Sequence, residues 1–212
     1  MIKINEIYKS IQGESSKAGL PCTFIRLTYC NLRCSYCDSE YSFYDGTEME
    51  IEEILSEIKM LECNLVEVTG GEPLFQKECL DLLKRLCDEG YEVMLETGGS
   101  LPIENVDKRV MIILDLKCPS SGMMKKNLYE NAYHLKQIDE IKFVIGTKED
   151  YQWAKEKMEE FNLYQKCSIL FSTVFGELSP QTLIEWILED NLHVRFQLQL
   201  HKYIWDPKTK GV

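Results

Sequence analysis

Hydrophobic and polar positions along the chain switch repeatedly between a period of two and a period near 3.6. Residues 6–11 (Glu-Ile-Tyr-Lys-Ser-Ile) alternate and then stop at Gln12-Gly13-Glu14, which predicts a short strand running into a loop. Residues 22–29 read as a second strand. Ile51, Ile54, Leu55, Ile58 and Leu61 recur at helical spacing, so an amphipathic helix is expected over 49–62. A strand over 65–69 ends at Gly70-Gly71-Glu72-Pro73, and Cys79, Leu82, Leu83, Leu86 and Cys87 mark a helix closed by Gly90. Strands follow over 91–96 and 110–115, the second a continuous apolar run of the kind found in buried parallel sheets. The remainder reads as strand 140–145, helix 148–161, strand 168–171, helix 179–189 and a last strand over 193–199. In the 179–189 helix, Ser179 is the expected N-cap, and Leu183, Ile184, Ile187 and Leu188 are expected to face inward. Residues 117–137 show no clear period.

Strands alternating with helices imply parallel pairing with right-handed crossovers. About seven strands stand against four clear helices, and the chain is shorter than the roughly 250 residues of a closed eight-fold barrel. The expected class is therefore α/β: a partial, open βα barrel with a mostly parallel sheet and some crossover helices reduced to loops. No repeat or linker divides the chain, so 1–212 reads as one domain. The polar and glycine motifs fall at predicted C-terminal ends of strands: Cys30 onward, 70–73, 96–98, 115–117 and 172–173. Ligands bind at that edge of parallel α/β sheets, so five stretches converge on one mouth.

The composition, 44% hydrophobic and 28% charged over 212 residues, is that of an ordinary globular protein. A net charge of −11, with the six lysines of 3–17 and 202–210 dispersed, argues against nucleic acid as a partner. No apolar run approaches the roughly 20 residues of a membrane span, and no signal-like apolar block opens the chain, so a cytoplasmic protein is expected. In that setting nine cysteines suggest metal binding or free thiols rather than disulfides. Cys22, Cys63, Cys79, Cys87, Cys118 and Cys167 are scattered and read mainly as small buried hydrophobes.

Cys30, Cys34 and Cys37 are different. They stand at C-x3-C-x2-C spacing just after a predicted strand, with no fourth cysteine nearby. A structural zinc site closes with four ligands and an electron-transfer cluster with four cysteines; here no second cysteine pair stands nearby, and the candidate fourth ligands His134, His193 and His201 lie far off in sequence. Three thiolates can instead hold three irons of a [4Fe–4S] cluster and leave the fourth iron open.

The loop resembles the C-x3-C-Φ-C signature of the radical S-adenosylmethionine (SAM) superfamily, with Tyr36 as the aromatic. Gly70-Gly71-Glu72-Pro73, one helix and one strand later, resembles the superfamily's GGEP motif. The resemblance implies SAM chelated at the open iron, one-electron cleavage of its sulfonium bond and a 5′-deoxyadenosyl radical. Flanking segments are more specific. S-x-Q-G-E at 10–14, F-x-R at 24–26, Cys37-Asp38-Ser39, Glu96-Thr97-Gly98 and Q-x-H-K at 199–202 are similar to the 7-carboxy-7-deazaguanine synthase family along nearly the whole chain. A glycyl-radical-enzyme activase shares the cysteine spacing but acts on a protein and has no use for a small-acid clamp. A non-catalytic iron–sulfur module has no use for a GGEP turn.

What the second resemblance implies is concrete. The substrate is 6-carboxy-5,6,7,8-tetrahydropterin, which loses ammonia as its ring contracts to 7-carboxy-7-deazaguanine. Gln12, Gly13, Glu14, Arg26, Thr69 and the Val212 carboxylate would meet that substrate, with the 1–21 and 200–212 segments completing its pocket. Tyr36, Gly70, Gly71, Glu72, Pro73, Glu96, Asp115, Lys117 and Ser172 would meet SAM. Ser39 stands where the family usually has threonine and would ligate Mg2+. Relatives often carry serine-proline-lysine where this chain has Asp115-Leu116-Lys117, so only Lys117 matches. The family also implies a homodimer and an electron donor such as flavodoxin or ferredoxin.

Overall fold

Successive side chains of a strand point to opposite faces of its sheet. In this protein the two faces have different chemistry. The computed structural model describes every residue, Met1–Val212. Its single sheet has nine strands: β1 (Ile2–Ile11), β2 (Pro21–Leu27), β3 (Thr47–Met49), β4 (Leu65–Gly70), β5 (Glu92–Thr97), β6 (Met111–Asp115), β7 (Glu140–Ile145), β8 (Ser168–Thr173) and β9 (Arg195–Phe196). Their order is β3-β1-β2-β4-β5-β6-β7-β8-β9. Every neighbouring pair from β2 to β9 is parallel, whereas β1 runs antiparallel to β2 and β3. The outer strands β3 and β9 do not pair, so the barrel stays open.

The outer face is covered by helices α1 (Ile51–Met60), α2 (Cys79–Asp88), α3 (Lys148–Glu160) and α4 (Pro180–Glu189). Ile25, Leu27, Val66, Val68, Val93, Leu95, Ile112, Leu114, Ile141, Phe143 and Phe171 pack there against Ile54, Ile58, Leu82, Leu86, Tyr151, Met158 and Leu183. Each such burial contributes about 1.5–3 kcal/mol relative to an exposed side chain. The inner face is apolar chiefly at its base, where Cys22, Phe24, Leu65, Met94 and Ile113 form a small second cluster. Higher up, toward the strand C-termini, the same alternation places Arg26, Glu67, Thr69, Glu96, Asp115 and Lys142 inside.

The expected class holds, with local differences. The β5–β6 connection has no helix, and the β6–β7 crossover is three 3₁₀ turns at Pro119–Ser121, Met124–Lys126 and Tyr129–Tyr133. These are the crossovers reduced to loops. Strand β1 is longer than the alternation at 6–11 suggested, and the last strand keeps only Arg195–Phe196. Met49 belongs to β3, and α1 starts two residues later, where Glu50 and Glu53 form a reciprocal capping box. Ser179 sits at the N-cap of α4 but makes no side-chain cap bond, and Leu188 is 68% exposed rather than inward. Leu183 and Ile187, one turn apart, supply the buried stripe that α4 needs. No helix is long and apolar enough to cross a membrane.

Asp150 ties the 3₁₀ crossover to α3. Its carboxylate accepts from Ser120 N at 2.8 Å and from Gly146 N and Thr147 N at 2.9 Å. Asp150→Ala strands these backbone donors in a buried setting and is expected to cost about 3 kcal/mol of folding free energy. A lowered urea midpoint with an unchanged denaturant slope is the measurement that checks it.

Candidate active site

The cysteine loop leaves the end of β2 through Tyr29, whose φ of 77° lies in the left-handed region that non-glycine residues rarely occupy. Backbone bonds explain how it is held there. Tyr29 N donates to Ser42 O at 3.0 Å, and Tyr29 O accepts from Glu72 N at 2.9 Å. Gly71 N donates to Leu27 O at 3.3 Å. A Cβ on Gly71 would sit 2.6 Å from Cys30 Cβ, so this approach requires glycine. The sequence motif was expected to bring the backbone close to a ligand. The structure shows that it first brings it close to the cysteine loop. On the other side, Ser35 N and Oγ donate to Ser121 O (3.0 Å) and Ser120 O (2.8 Å) of the β6–β7 crossover. The loop is therefore clamped between two strand ends.

The loop opens onto a cavity of about 630 Å³ at the C-terminal edge of the sheet. Of the residues singled out in the sequence, Gln12, Gly13, Glu14, Arg26, Cys30, Cys34, Tyr36, Cys37, Ser39, Thr69, Gly70, Gly71, Glu96, Asp115, Lys117 and Val212 all line it. Glu72, Pro73 and Ser172 do not. The Glu72 carboxylate is wholly buried and accepts from Thr97 Oγ1 (2.8 Å), Gly98 N (2.8 Å) and Leu74 N (3.1 Å), bracing the turn against β5. Pro73 starts the short 3₁₀ turn that follows, and at the end of β8 it is Thr173, not Ser172, that faces the cavity. A second hollow of about 770 Å³ lies between β1, β3 and α1, lined by Glu48, Glu52, Glu53 and Glu57 and by none of the motif residues.

The tail closes the mouth. Leu200 N donates to Gly13 O at 3.0 Å, and Lys202 Nζ lies 2.6 Å from Asp38 Oδ2, next to Cys37. Lys210 Nζ stands 4.2 Å over the Tyr41 ring, and residues 207–212 line the cavity.

Charges inside the cavity are arranged in three groups. Arg26 donates from Nε to Glu6 Oε1 at 2.7 Å and from Nη2 to Tyr8 Oη at 3.1 Å, while Tyr41 Oη donates to the same Glu6 oxygen. This leaves Nη1 and one Nη2 hydrogen of its five N–H donors. Lys117 Nζ pairs with Asp115 Oδ2 at 2.7 Å; burial opposes its charge, but Asp115, together with Cys34 and Tyr36, holds the pKa above the ordinary lysine value. Lys142 pairs with both Glu14 and Glu96. Glu67, beside them, accepts from Gln12 Nε2; burial and then the Glu96 charge push its pKa well above the usual carboxylate range. Lys142, Glu67, Glu6 and Tyr41 were not singled out from the sequence. For the first two a signal was present: a charged residue flanked by core positions in an apolar strand, as in Ile141-Lys142-Phe143 and Val66-Glu67-Val68.

The residues present fit an iron–sulfur cluster with SAM. No group of His, Cys, Asp or Glu side chains converges on a point that a single metal ion could occupy. The three thiols instead open onto one shared cavity. Burial pushes the Cys30 thiol up and the Cys34 thiol to about 11, so thiolates there need the positive charge of bound iron. Tyr36 Oη and Asp115 Oδ1 are buried without a partner, and both residues line the cavity, as expected where a polar ligand completes the site.

A sequence model described as the radical SAM superfamily matches residues 24–187. Fold, cysteine loop and glycine turn thus belong to a radical SAM protein, which holds a [4Fe–4S] cluster and SAM. Over 214 residues the chain is 49% identical to the 7-carboxy-7-deazaguanine synthase of Chlorobaculum tepidum, covering 100% of this chain and 97% of that one. It is 46% identical to the 7-carboxy-7-deazaguanine synthase of Koribacter versatilis, with both chains covered in full (100%). The crystal structure of QueE from Escherichia coli superposes with a TM-score of 0.75 over 94% of each chain at 21% identity, which supports the fold. The chain belongs to the 7-carboxy-7-deazaguanine synthase family.

Gly71→Ala is expected to push the cysteine loop away from the glycine turn. The variant should fold but retain well under half of the parent's iron after anaerobic reconstitution, read by iron analysis and the cluster's visible absorbance. Cys30→Ala should lose the cluster outright.

Proposed function

We propose that the protein converts 6-carboxy-5,6,7,8-tetrahydropterin to 7-carboxy-7-deazaguanine with loss of ammonia, a step of queuosine and 7-deazapurine biosynthesis. The observation that carries this reading is the cavity itself, in which the cysteine loop faces both a free guanidinium edge (Arg26) and a carboxylate wall (Glu14, Glu96). When bound, the cluster and SAM supply one-electron cleavage of the sulfonium C–S bond and hydrogen-atom abstraction from the substrate.

The remaining tasks fall to the chain's own groups. Cys30, Cys34 and Cys37 hold the cluster. Tyr36, Gly70, Gly71, Glu96, Asp115 and Lys117 surround SAM, while Glu72 and Pro73 shape the turn that receives it. Arg26, oriented by Glu6, holds the substrate carboxylate with its unoccupied N–H groups. Glu14 accepts from the N–H donors of the aminopyrimidine edge, with Gln12 and Gly13 fixing the Glu14 backbone and Thr69 and the Val212 carboxylate at the pocket wall. Gln12 supports this role by accepting from Glu14 N at 2.9 Å. Ser39 Oγ, whose side-chain hydrogen bond is a long one of 3.9 Å with Cys37 Sγ, is free to ligate Mg2+ together with substrate oxygens. The chain acts as one domain in the cytoplasm, as a homodimer reduced by a flavodoxin- or ferredoxin-like donor.

The test is anaerobic: reconstituted, reduced protein with SAM and 6-carboxytetrahydropterin should yield a deazapurine. Cofactor cleavage only in the presence of a partner protein would sink the reading. Arg26→Ala should keep its iron but raise the substrate KM by about 100-fold, the loss expected for a buried charge-assisted contact of about 3 kcal/mol. Removing residues 207–212 opens the mouth and is expected to raise KM while sparing the cluster, as checked by steady-state kinetics and iron content.

A further inference from the structure

Lys142 occupies the inner face of β7, with a side chain only 6% exposed. An ammonium taken out of water is costly unless it is fully paired. Its Nζ donates to Glu14 Oε2 at 2.9 Å and to the Glu96 carboxylate. Those partners come from distant parts of the chain. Glu14 lies in the connection between β1 and β2, and Glu96 near the end of β5. The lysine therefore ties a loop on the substrate side to a strand end near the cysteine loop.

Glu14 is held by more than this one bond. Gln197 Nε2 reaches Oε2 at 3.3 Å and Gln199 Nε2 reaches Oε1 at 2.9 Å. An ionised carboxylate has about four acceptor sites, so one remains, on the less occupied Oε1. Burial works against the Glu14 charge, yet Lys142 and the glutamine hold its pKa below the usual value. Lys142 itself is held well above the ordinary lysine value because Glu14 and Glu96 outweigh its burial. The groups facing this centre are Glu67 on β4, Glu96 on β5, Asp115 on β6, and His201 on the short helix α5 (His201–Ile204).

We infer that Lys142 is a positioning residue for the substrate: its ammonium, shared between Glu14 and Glu96, holds the Glu14 carboxylate aimed as an acceptor, and so selects a ligand whose edge presents N–H donors. Without the cation, Glu14, Glu67 and Glu96 crowd one buried space. One of them takes up a proton, and an acceptor becomes a donor. The inference rests on the proposed pterin substrate.

The test compares Lys142→Met and Lys142→Arg in reconstituted holoenzyme. For Lys142→Met the KM for 6-carboxytetrahydropterin should rise at least about tenfold, with a much smaller fall in kcat and with parental iron content. Its KM should fall again as pH rises from about 7 to about 9, because the carboxyl that gained a proton then loses it. The parent shows no such slope: Lys142 stays charged and Glu14 ionised throughout. Lys142→Arg keeps a cation between the two carboxylates and should recover most of the affinity. Lys142→Gln, which keeps a donor but no charge, carries the Lys142→Met expectation if that variant does not fold. An active parent alongside a neutral variant with unchanged KM and a flat pH profile overturns the inference alone. A parent that forms no deazapurine overturns the functional reading, and this inference with it.

Discussion

Two stretches of backbone meet where Gly71 passes Tyr29 and Cys30, and the arrangement of the site follows from that approach. Glu72 N donates to Tyr29 O, and Gly71 N donates to Leu27 O. Tyr29 is thereby held at a positive φ that turns the cysteine loop over the end of the sheet. Glu72 then turns its carboxylate inward to Thr97 and Gly98, joining the ends of β4 and β5. Any side chain on Gly71 would separate these elements, because the nearest atoms are the Tyr29 carbonyl oxygen and the Cys30 Cβ rather than a mobile side-chain tip. Glycine in this motif acts on protein backbone first and on a ligand second.

Electrostatics organises the rest of the cavity. Each buried cation is matched: Arg26 by Glu6, Lys117 by Asp115, Lys142 by Glu14 and Glu96. Pairing of this kind offsets desolvation that an unpaired charge could not survive. It also leaves defined edges unspent, such as Arg26 Nη1, the second acceptor site of Glu14 Oε1 and Asp115 Oδ1. The pattern is acceptor-rich on the Glu14 side and donor-rich at Arg26, which suits a ligand that carries N–H groups at one end and a carboxylate at the other. The tail contributes through Lys202 and Asp38, which link the chain's last segment to the residue between Cys37 and Ser39.

Much of this was legible in the residues. The α/β class followed from strands and helices alternating in register, and the open barrel from crossovers without helical period. The cysteine spacing and the glycine turn marked the cofactor mouth, and Val212, which the resemblance places against the substrate, lies in the cavity wall. What was missed has specific causes. Lys142 and Glu67 were hidden because their strands read as apolar, yet each is one odd-register position on a face that no helix covers. Ser172 was placed at the mouth by proximity to a strand end, but Thr173 faces the cavity there. Leu188 fits a helical stripe on paper, whereas α4 meets the sheet along a narrower line.

The sequence by itself determined the elements, the class of fold and the cysteine motif, because these depend on local periodicity and on spacing within one loop. Only the tertiary structure decided which charges share a partner. Glu14 and Lys142 are separated by 128 positions, and Lys202 and Asp38 by 164. Their pairing arises from sheet order and from the tail folding back over the mouth, and no local pattern encodes either.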